Sequence, residues 1–328
     1  MLSIIITTKD TETLLKNLLS SIKKDKKLEP FLKEVIVVDN ASADRTGDMV
    51  KEDFPGFLYI KNERNEGFAA AVNKGFIHSN GEYILFLNSD TLLIEGEIIK
   101  MLELMKENQD IGICGPQLVY PDMRPQRSFA YAPSLISEIF PRALIEYLSS
   151  ETISARPSAL HTLPSAINVP SLIGAAVLIR RNVLESLGGF DERFFFFLEE
   201  TDLCLMTRQI KYGTEGKTYR VVFYPHAKVV HLQGKTVASN WVQGRIEYNI
   251  SLYKFIRKHH DYLYYITFKT IRLIKCCIFL VIFSILPFSP VKEKLKRSYA
   301  YYTKLFLWHI RGCPDNTGLR TYIKNHTN

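Results

Sequence analysis

The chain is poor in cysteine, and its cysteines lack the spacing that metal sites use. It has five cysteines in 328 residues, an odd number, and Cys276 and Cys277 are adjacent inside an apolar run. This pattern argues against a disulfide framework and against a cysteine-based metal cluster. We therefore expect five reduced thiols in a cytosolic protein.

Three other features are missing from the sequence. There is no low-complexity tract, no repeat at a fixed period and no predicted signal peptide, because the first apolar run (residues 2–7) is short and lacks a basic leader. What is present can build a large core, with 46% hydrophobic and 12% aromatic residues. A chain of this length predicts one large α/β domain with an appendage, or two ordinary domains.

Positive charge is concentrated at the C-terminal end. The net charge is +8, and residues 241–328 contain 15 Lys and Arg but only four Asp and Glu. The rest of the chain is therefore close to neutral. A basic tail predicts contact with an anionic surface. Because the tail is also the most apolar part of the chain, we expect that surface to be a membrane and not nucleic acid.

One segment of this tail has an ambiguous length. Residues 276–291 carry no charge, but they are slightly short for a bilayer span, and Pro287 and Pro290 interrupt their end. Basic residues flank the segment on both sides, which is typical of an interfacial or shallowly inserted helical element. The alternative is a helix packed on the main domain or in the interface of a homodimer.

Short β-branched runs alternate with helical periodicity along the chain. The predicted strands cover residues 2–7, 35–38, 57–60, 83–87, 111–114, 177–179 and 221–224. The predicted helices cover residues 14–22, 67–79, 98–106 and 242–258, and the Pro- and Ser-rich residues 117–170 are predicted to be long binding loops. This alternation predicts an α/β fold with a mostly parallel central sheet flanked by helices.

Polar residues follow three of these strands. They are Thr7 and Thr8, then Asp39 and Asn40, then Asn88, Ser89 and Asp90. In parallel α/β sheets, ligands bind outside the carboxyl ends of the strands. The coincidence predicts a binding site at that edge without identifying its ligand.

A cluster of carboxylates follows four consecutive phenylalanines. Glu199, Glu200 and Asp202 come directly after residues 194–197 and Leu198. A carboxylate beside apolar surface and like charges holds its proton more tightly, as a general base requires. The alternative is a solvated helix start with acidic residues near its positive end.

Taken in order, these segments resemble the inverting, nucleotide-sugar-dependent glycosyltransferases of family two, which have the GT-A fold. The resemblance is carried by SIIITT (3–8), VVDNASAD (37–44), NEGFAAAVNKG (65–75), LNSD (87–90), GAA (174–176), GFDERFF (189–195), EETDL (199–203) and His231. Within the family, the chain looks most like the rhamnosyltransferase-like enzymes that build bacterial surface polysaccharides. The tail after about residue 260 is not covered by it.

The resemblance implies a division of the chain. Residues 1–260 would form the GT-A catalytic domain, with a nucleotide-binding half (1–115), an acceptor and catalytic half (116–240) and a closing helix (241–260). Residues 261–328 lie outside the resemblance, and their basic, apolar composition predicts a helical, membrane-associating extension.

The resemblance also implies a pocket for the nucleotide of the donor. Asp39 would accept the imide N–H of a uracil or thymine ring, which suits an acceptor-only carboxylate. Gly67 would allow the backbone to approach the nucleotide closely. Thr7 and Thr8 would line the pocket, and Asn65 and Asn73 would offer amide hydrogen bonds. The alternatives are a turn-forming Asp-Asn pair and a helix N-terminus with a glycine entry.

Asn88-Ser89-Asp90 stands where the family usually carries Asp-x-Asp. The resemblance implies that Asp90 binds Mg²⁺ or Mn²⁺, which would bridge to the diphosphate of the donor. Asn88 replaces the first Asp and would be a neutral helper at most. His231 resembles the late family histidine that can complete the metal coordination, although a lone histidine can also be structural.

The family's Glu-Asp-x-Asp pattern assigns the catalytic base. Glu200 occupies the base position and is one methylene longer than the usual Asp, while Glu199 and Asp202 are alternates that would orient the acceptor or a loop. We expect a metal-dependent inverting glycosyltransferase that moves rhamnose from dTDP-rhamnose to a growing, lipid-linked surface glycan. Its expected location is the cytoplasmic face of the cell membrane.

Three alternatives stay open beside this expectation. The same fold could use UDP-galactofuranose, UDP-glucose or UDP-N-acetylglucosamine, because the loops that select the sugar carry no recognisable signature. The protein could instead be a non-catalytic glycan-binding subunit. A nucleotidyltransferase is disfavoured, since the first strand is not followed by a Gly-rich, basic phosphate loop.

Overall fold

The computed structural model describes residues 1–140, 166–214, 216–232, 241–285 and 292–320, and these fall into two compact units. The first unit holds the described residues of 1–132, 155–195 and 199–236. The second holds those of 133–154, 196–198 and 237–328. The helix predicted to close the catalytic domain therefore groups with the C-terminal tail.

The strands lie in the first unit. In chain order they are β1 (Leu2–Thr8), β2 (Leu32–Asp39), β3 (Leu58–Lys61), β4 (Tyr83–Asn88), β5 (Thr91–Leu93), β6 (Ile111–Val119), β7 (Phe129–Ala130), β8 (Ile167–Asn168), β9 (Ser171–Leu172), β10 (Ala176–Arg180), β11 (Lys211–Tyr212), β12 (Lys217–Thr218) and β13 (Arg220–His231). All seven strands predicted from the sequence are present.

The helices are distributed over both units. In chain order they are α1 (Glu12–Lys24), α2 (Thr46–Asp53), α3 (Phe68–Ile77), α4 (Glu97–Glu107), α5 (Leu135–Ile139), α6 (Arg181–Leu187), α7 (Glu199–Thr207), α8 (Trp241–His259), α9 (Tyr262–Ile285) and α10 (Lys292–Ile310). Of these, α5, α8, α9 and α10 belong to the second unit.

The main sheet is mixed, whereas the sequence predicted a mostly parallel one. Its order is β3-β2-β1-β4-β10-β6-β13-β5, with β8 also paired to β13. The pairs β1–β2, β1–β4, β2–β3 and β6–β13 are parallel, but β10 runs antiparallel to both β4 and β6. An apolar run predicts a buried strand without revealing its direction, which depends on how the chain returns to the sheet.

The core of the first unit lies on both faces of β1. Ile4 and Ile6 face the cluster that contains Leu15 and Leu18 of α1, and all four are fully buried. On the other face, Ile5 meets α3, where a Cβ on Gly75 would lie 2.6 Å from the Ile5 Cγ2 atom. Burial on both faces explains why the run is continuously apolar. It also holds the carboxyl end of β1 rigidly.

The helices of the second unit pack around a tyrosine. The ring of Tyr253 in α8 stacks on Trp308 of α10, with centroids 5.4 Å apart, and its hydroxyl bonds to His309 over 2.6 Å. Part of the uncharged segment predicted at 276–291 continues α9, and residues 286–291 lie outside the described residues. Within the described parts of the chain, no helix combines the length and the apolar character that crossing a bilayer requires.

All five cysteines are free thiols, as predicted. Burial raises the pKa of the Cys204 thiol to about 12, so it stays protonated and unreactive.

Candidate functional site

The register of the parallel strands brings three predicted polar segments to one edge of the sheet. Thr8 of β1 lies beside Asp39 of β2, and Thr7 lies beside Asn88 of β4. Because β1 is the strand between the other two, its two threonines stand between the predicted nucleotide side and the predicted metal side.

A chain of buried hydroxyl groups connects these two sides. The hydroxyl of Thr8 lies 2.7 Å from that of Thr11, which donates to the hydroxyl of Ser89 over 3.0 Å. Ser89 sits in the turn between β4 and β5, directly before Asp90. The end of β1 and the turn that carries Asp90 therefore form one hydrogen-bonded framework.

Asp39 is fully buried, and both of its carboxylate oxygens have partners inside the chain. Oδ1 accepts from the backbone N–H and the hydroxyl of Ser42 at 2.8 and 2.6 Å, and Oδ2 accepts from the hydroxyl of Tyr59 at 2.5 Å. Burial and the bond to Asp39 raise the pKa of Tyr59, so that its hydroxyl remains a donor. A carboxylate has about four lone-pair positions, so Oδ2 keeps one, but Asp39 is 0% exposed and a nucleobase would have to displace neighbouring groups to reach it. Recognition of a nucleobase by Asp39 stays a prediction.

Asn40 organises the loop that carries Asn65 and Gly67. Its Oδ1 accepts from the Asn62 amide (2.9 Å), and its Nδ2 donates to the carbonyl of Gly67 (3.1 Å). Asn65 accepts from the N–H of Gly67 over 2.9 Å. Gly67 has a φ of +91°, and a Cβ there would lie 2.5 Å from the Phe195 carbonyl oxygen, so only glycine fits. Asn65 and Gly67 therefore shape the entry to α3.

Asn73 contacts the segment that follows α6. Its amide donates to the carbonyl of Phe190 and to Glu192 Oε1, both at 2.9 Å, and its Oδ1 accepts from the N–H of Phe190 at 2.8 Å. Both amide hydrogens are thus used inside the chain. Asn73 holds this segment against α3, and a contact with the nucleotide stays a prediction.

Asp90 and His231 meet across β5 and β13. His231 pairs with Thr91 in the antiparallel register, and the N–H of Leu232 donates to the Asp90 carbonyl over 2.9 Å. Their side chains converge, with His231 Nε2 located 3.5 Å from Asp90 Oδ1. Both residues lie mostly out of solvent. The two residues that the sequence predicted as metal ligands, 141 positions apart, are therefore neighbours.

This pair fits a divalent cation that is shared with a substrate. A separation of 3.5 Å suits two ligands that each lie about 2.1 Å from one ion. The part of the chain that the structure describes contains no group of three or more His, Cys, Asp or Glu side chains able to hold a metal. Mg²⁺ is commonly held by one or two protein ligands together with substrate phosphates and water, so two ligands are sufficient for that type of site.

Glu200 occupies the first turn of α7 and is half-buried. It packs on Gly174, where a Cβ would lie 3.4 Å from Glu200 Cγ. Burial raises the pKa of Glu200 to about 7, although hydrogen bonds from its own N–H and that of Thr201 act in the opposite direction. A carboxylate with a pKa near neutrality can accept a proton during a reaction at physiological pH.

The two neighbouring carboxylates are more deeply buried than Glu200. Glu199 is 6% exposed and Asp202 is 3% exposed. Arg193 forms an ion pair with Asp191 over 2.5 Å and also lies within the electrostatic reach of Asp202. The burial of Glu199 and Asp202 leaves less room for direct contact with an acceptor. Their roles in orienting the acceptor or a loop stay predictions.

A short path of contacts connects Glu200 to the metal pair. Glu200 lies against Gly174, the next residue Ala175 accepts from the N–H of Asn88 over 3.0 Å, and Asn88 is two residues before Asp90. The carbonyl of Asn88 is held in turn by the hydroxyl of Thr91 at 2.8 Å. The antiparallel β10, whose direction the sequence did not predict, thus brings the base candidate to the sheet edge that carries Asp90.

Two residues with close contacts to the site were missed by sequence reasoning. Tyr59 donates to Asp39, and Gln126 contacts both the ring and the backbone of His231. These pairs are 20 and 105 positions apart in sequence, and the sequence contains no periodic signal that links them. For Gln126, the only signal was its position in the loops predicted to bind ligands.

The chain is similar in sequence to two proteins that transfer sugars. The chain is 25% identical over 240 residues to an N-acetylglucosaminyl-diphospho-decaprenol L-rhamnosyltransferase of Mycobacterium tuberculosis, covering 69% of this chain and 75% of that protein. It is 28% identical over 212 residues to the low-salt glycan biosynthesis hexosyltransferase Agl10 of Haloferax volcanii, covering 63% and 62%.

Two solved structures with a similar fold contain a nucleotide or nucleotide sugar and Mn²⁺. The mannosyltransferase PcManGT of Pyrobaculum calidifontis, in complex with GDP-Man and Mn²⁺, has a TM-score of 0.55 at 16% identity, covering 94% of this chain and 87% of that one. GalNAc-T7 with UDP, GalNAc and Mn²⁺ has a TM-score of 0.56 at 14% identity, covering 95% and 57%. At these identities the similarity shows the GT-A-like fold.

The family comparison decides to which family the chain belongs. The profile of glycosyl transferase family 2 matches residues 3–188, which include most of β1, the strand ends around Asp39 and Asp90, and β10. This match covers more than half of the chain, and the segments that carried the resemblance in the sequence lie together in the fold. The protein is therefore a member of glycosyl transferase family 2.

Proposed function

We propose that the protein is an inverting glycosyltransferase that moves a sugar from a nucleoside diphosphate donor to a hydroxyl group of a growing glycan, with Mg²⁺ or Mn²⁺ as its cofactor. One observation carries the proposal: the Asp90–His231 pair, 3.5 Å apart, lies at the sheet edge to which the contacts of Gly174 and Ala175 connect Glu200. A cation on the leaving diphosphate and a carboxylate that takes the acceptor proton would both assist direct displacement at an anomeric carbon.

In the proposed reaction, Glu200 takes the proton of the acceptor hydroxyl as the acceptor oxygen bonds to the anomeric carbon. The bond between that carbon and the oxygen of the nucleoside diphosphate breaks, and its electron pair leaves with the diphosphate. Attack opposite the leaving group inverts the anomeric configuration. The cation, when bound by Asp90 and His231, would neutralise negative charge on the leaving diphosphate.

The donor we propose is dTDP-rhamnose. The similarity to a rhamnosyltransferase at 25% identity supports this choice. Thymine and uracil both present an imide N–H to a carboxylate, so Asp39 would accept either base and does not discriminate between them. UDP-galactofuranose, UDP-glucose and UDP-N-acetylglucosamine are therefore the alternative donors.

The proposed acceptor is a lipid-linked glycan at the cytoplasmic face of the cell membrane, with the second unit in contact with the bilayer. One face of α9 supports this part of the proposal. Exposed apolar side chains recur along that face at helical spacing, each between 38% and 76% exposed: Leu263, Ile266, Ile274, Ile278, Val281 and Ile282. Together with the basic composition of the tail, this face suits an anionic lipid surface.

A donor panel tests the reaction. The purified full-length chain is incubated with each of the four nucleotide sugars and a polyprenyl-diphosphate-linked sugar acceptor, after removal of metal by a chelator and after addition of Mn²⁺ or Mg²⁺. Release of nucleoside diphosphate, the mass of the product and its anomeric proton coupling are measured. Transfer that depends on the metal, with inversion, is expected.

Two outcomes would contradict the proposal. Absence of both transfer and donor hydrolysis with every donor would reject catalysis by this chain alone. Full activity of a Glu200→Gln variant would remove the assigned base and favour a structural role for the carboxylates.

A further inference from the structure

The ring of His231 is held by a neighbour that the family resemblance did not identify. Gln126 Nε2 donates to the backbone carbonyl of His231 over 2.6 Å, and Gln126 Oε1 lies 3.1 Å from His231 Nδ1. One side chain therefore contacts the backbone and the ring of the same histidine. The bond to the carbonyl fixes the Gln126 amide, and the amide in turn contacts the ring nitrogen that would lie away from a metal ion.

The backbone carbonyl of His231 fixes the orientation of the oxygen and nitrogen of the Gln126 amide. A carbonyl oxygen can only accept, so the side of the amide that faces it must be the NH₂ group. The amide oxygen consequently faces the ring, and since it also can only accept, His231 Nδ1 must carry the hydrogen. The neutral imidazole then has its lone pair on Nε2, the nitrogen that faces Asp90.

Gln126 is itself rigidly placed. It is 7% exposed, its backbone N–H donates to the carbonyl of Leu118 over 2.7 Å, and its carbonyl accepts from the side chain of Gln117 over 2.7 Å. A bridge between Val119 and Pro125 closes the turn that precedes it. The amide therefore has a fixed backbone from which to hold the histidine.

We infer that Gln126 is a positioning residue for the cation site, which selects the Nδ1–H tautomer of His231 so that Nε2 and Asp90 Oδ1 present two lone-pair donors to one ion. The inference rests on the proposed function for the identity of the cation. A lone pair facing a carboxylate 3.5 Å away is unfavourable unless a proton or a metal ion lies between them, so the tautomer at a pH where the ring is neutral distinguishes the two. Partners that orient a metal-binding histidine typically contribute about 10- to 100-fold to metal affinity.

Three variants separate the acceptor function of Gln126 from its packing. Gln126→Met keeps the length of the side chain and removes both hydrogen bonds. Gln126→Glu keeps an acceptor opposite Nδ1 and loses the donor to the carbonyl. Gln109→Met is the inert control, because Gln109 is exposed and its amide contacts only the backbone of its own helix end.

The first measurement reads the tautomer without any metal or activity. Long-range ¹H–¹⁵N correlation spectra of the histidine-labelled full chain are recorded at alkaline pH, where free imidazole is neutral, and a His231→Asn variant assigns the signal. We expect a protonated Nδ1 and an unprotonated Nε2 in the wild type, in Gln126→Glu and in Gln109→Met, and a loss of this preference in Gln126→Met. A hydrogen on Nε2 in the wild type would overturn the inference.

The second measurement is the affinity for Mn²⁺ in the presence of dTDP or UDP, with binding monitored by electron paramagnetic resonance. We expect Gln126→Met to weaken Mn²⁺ binding by about 10- to 100-fold and Gln126→Glu to bind at least about tenfold more tightly than Gln126→Met. Equal affinities in Gln126→Met and wild type, or in the two Gln126 variants, would overturn it. If the wild type bound no Mn²⁺, the proposed cofactor would fail, and the spectra would still decide the tautomer.

Discussion

Tyr59 donates its phenolic hydrogen to Oδ2 of Asp39 over 2.5 Å, on the same carboxylate that is proposed to recognise the nucleobase. The other oxygen is engaged by Ser42. Asp39 therefore carries out two tasks at once, holding the loop after β2 and, as proposed, offering one remaining lone-pair position to the base. The two tasks can be separated because Tyr59 is needed only for the first.

Asp39→Asn is expected to weaken binding of dTDP and UDP by about 10- to 100-fold, because a hydrogen bond to a charged group contributes about 1.5–3 kcal/mol. Tyr59→Phe is the matched variant, since it removes a donor from the same oxygen and keeps the carboxylate. It should change nucleotide affinity by less than about threefold while lowering the free energy of unfolding by about 1 kcal/mol. Calorimetric titration measures the affinities. Equal losses of affinity in both variants would show that Asp39 has only a structural role.

The rate of transfer should depend on the ionisation of Glu200. Because burial raises its pKa to about 7 and the base must be ionised, kcat/KM should fall as the pH drops below about 7. Glu200→Gln should lower kcat by about 10²- to 10⁴-fold, the usual contribution of a general base. A pH–rate profile measured with donor in excess and with acceptor well below its KM checks this. An acid limb near the ordinary value of 4.5 would point to a solvated carboxylate instead.

The same substitution should stabilise the protein at neutral and alkaline pH. Since the pKa of Glu200 is 4.5 ordinarily and about 7 in the folded chain, the folded state binds more protons between these values, and stability falls as the pH rises through that window. Above pH 7 the full cost of ionising the buried carboxylate is present. It amounts to about 3 kcal/mol for a shift of this size, which partial exposure reduces to roughly 1–2 kcal/mol.

Urea denaturation of the wild type and Glu200→Gln at about pH 4.5 and about pH 8 measures this effect. Glu200→Gln should be more stable than the wild type at the higher pH, and the difference should shrink at the lower pH. If Glu200→Gln were less stable than the wild type at both pH values, the carboxylate would stabilise the folded chain. The proposal that it lowers stability for the sake of catalysis would then be wrong.

Binding to anionic vesicles should depend on the exposed face of α9. Replacing Ile274 and Ile278 together by Glu is expected to weaken binding to phosphatidylglycerol vesicles at least about tenfold, because it removes apolar area and adds like charge. Ile77→Glu is the control, since Ile77 is 79% exposed in α3 of the first unit. Vesicle sedimentation at low and high salt measures the binding. If the double variant bound like the control, the membrane proposal for this face would be wrong.

Much of the first unit was predictable because its signals are local. The continuous apolar run of β1 predicts a strand buried on both faces, and the polar residues after it predict a ligand-binding edge. The LNSD and EETDL segments carry the metal and base candidates at positions that the family resemblance assigns. The sequence predicted a catalytic domain followed by a helical tail, but not that α8 groups with the tail or that the tail contains the separate helices α9 and α10, since helical periodicity does not reveal which domain a helix packs on.

The site also depends on relationships that no local pattern contains. The sequence alone determined which residues have the chemistry: a carboxylate cluster after an apolar run, a late histidine, and carboxylates and amides at strand ends. The tertiary structure decided which of them meet. The antiparallel β10 brings Gly174 against Glu200 and Ala175 against Asn88. Tyr59 donates a hydrogen bond to one carboxylate oxygen of Asp39, and Gln126 contacts the ring of His231. The sequence specifies the type of each residue directly. Strand direction and hydrogen-bond partners result from packing between segments far apart in sequence.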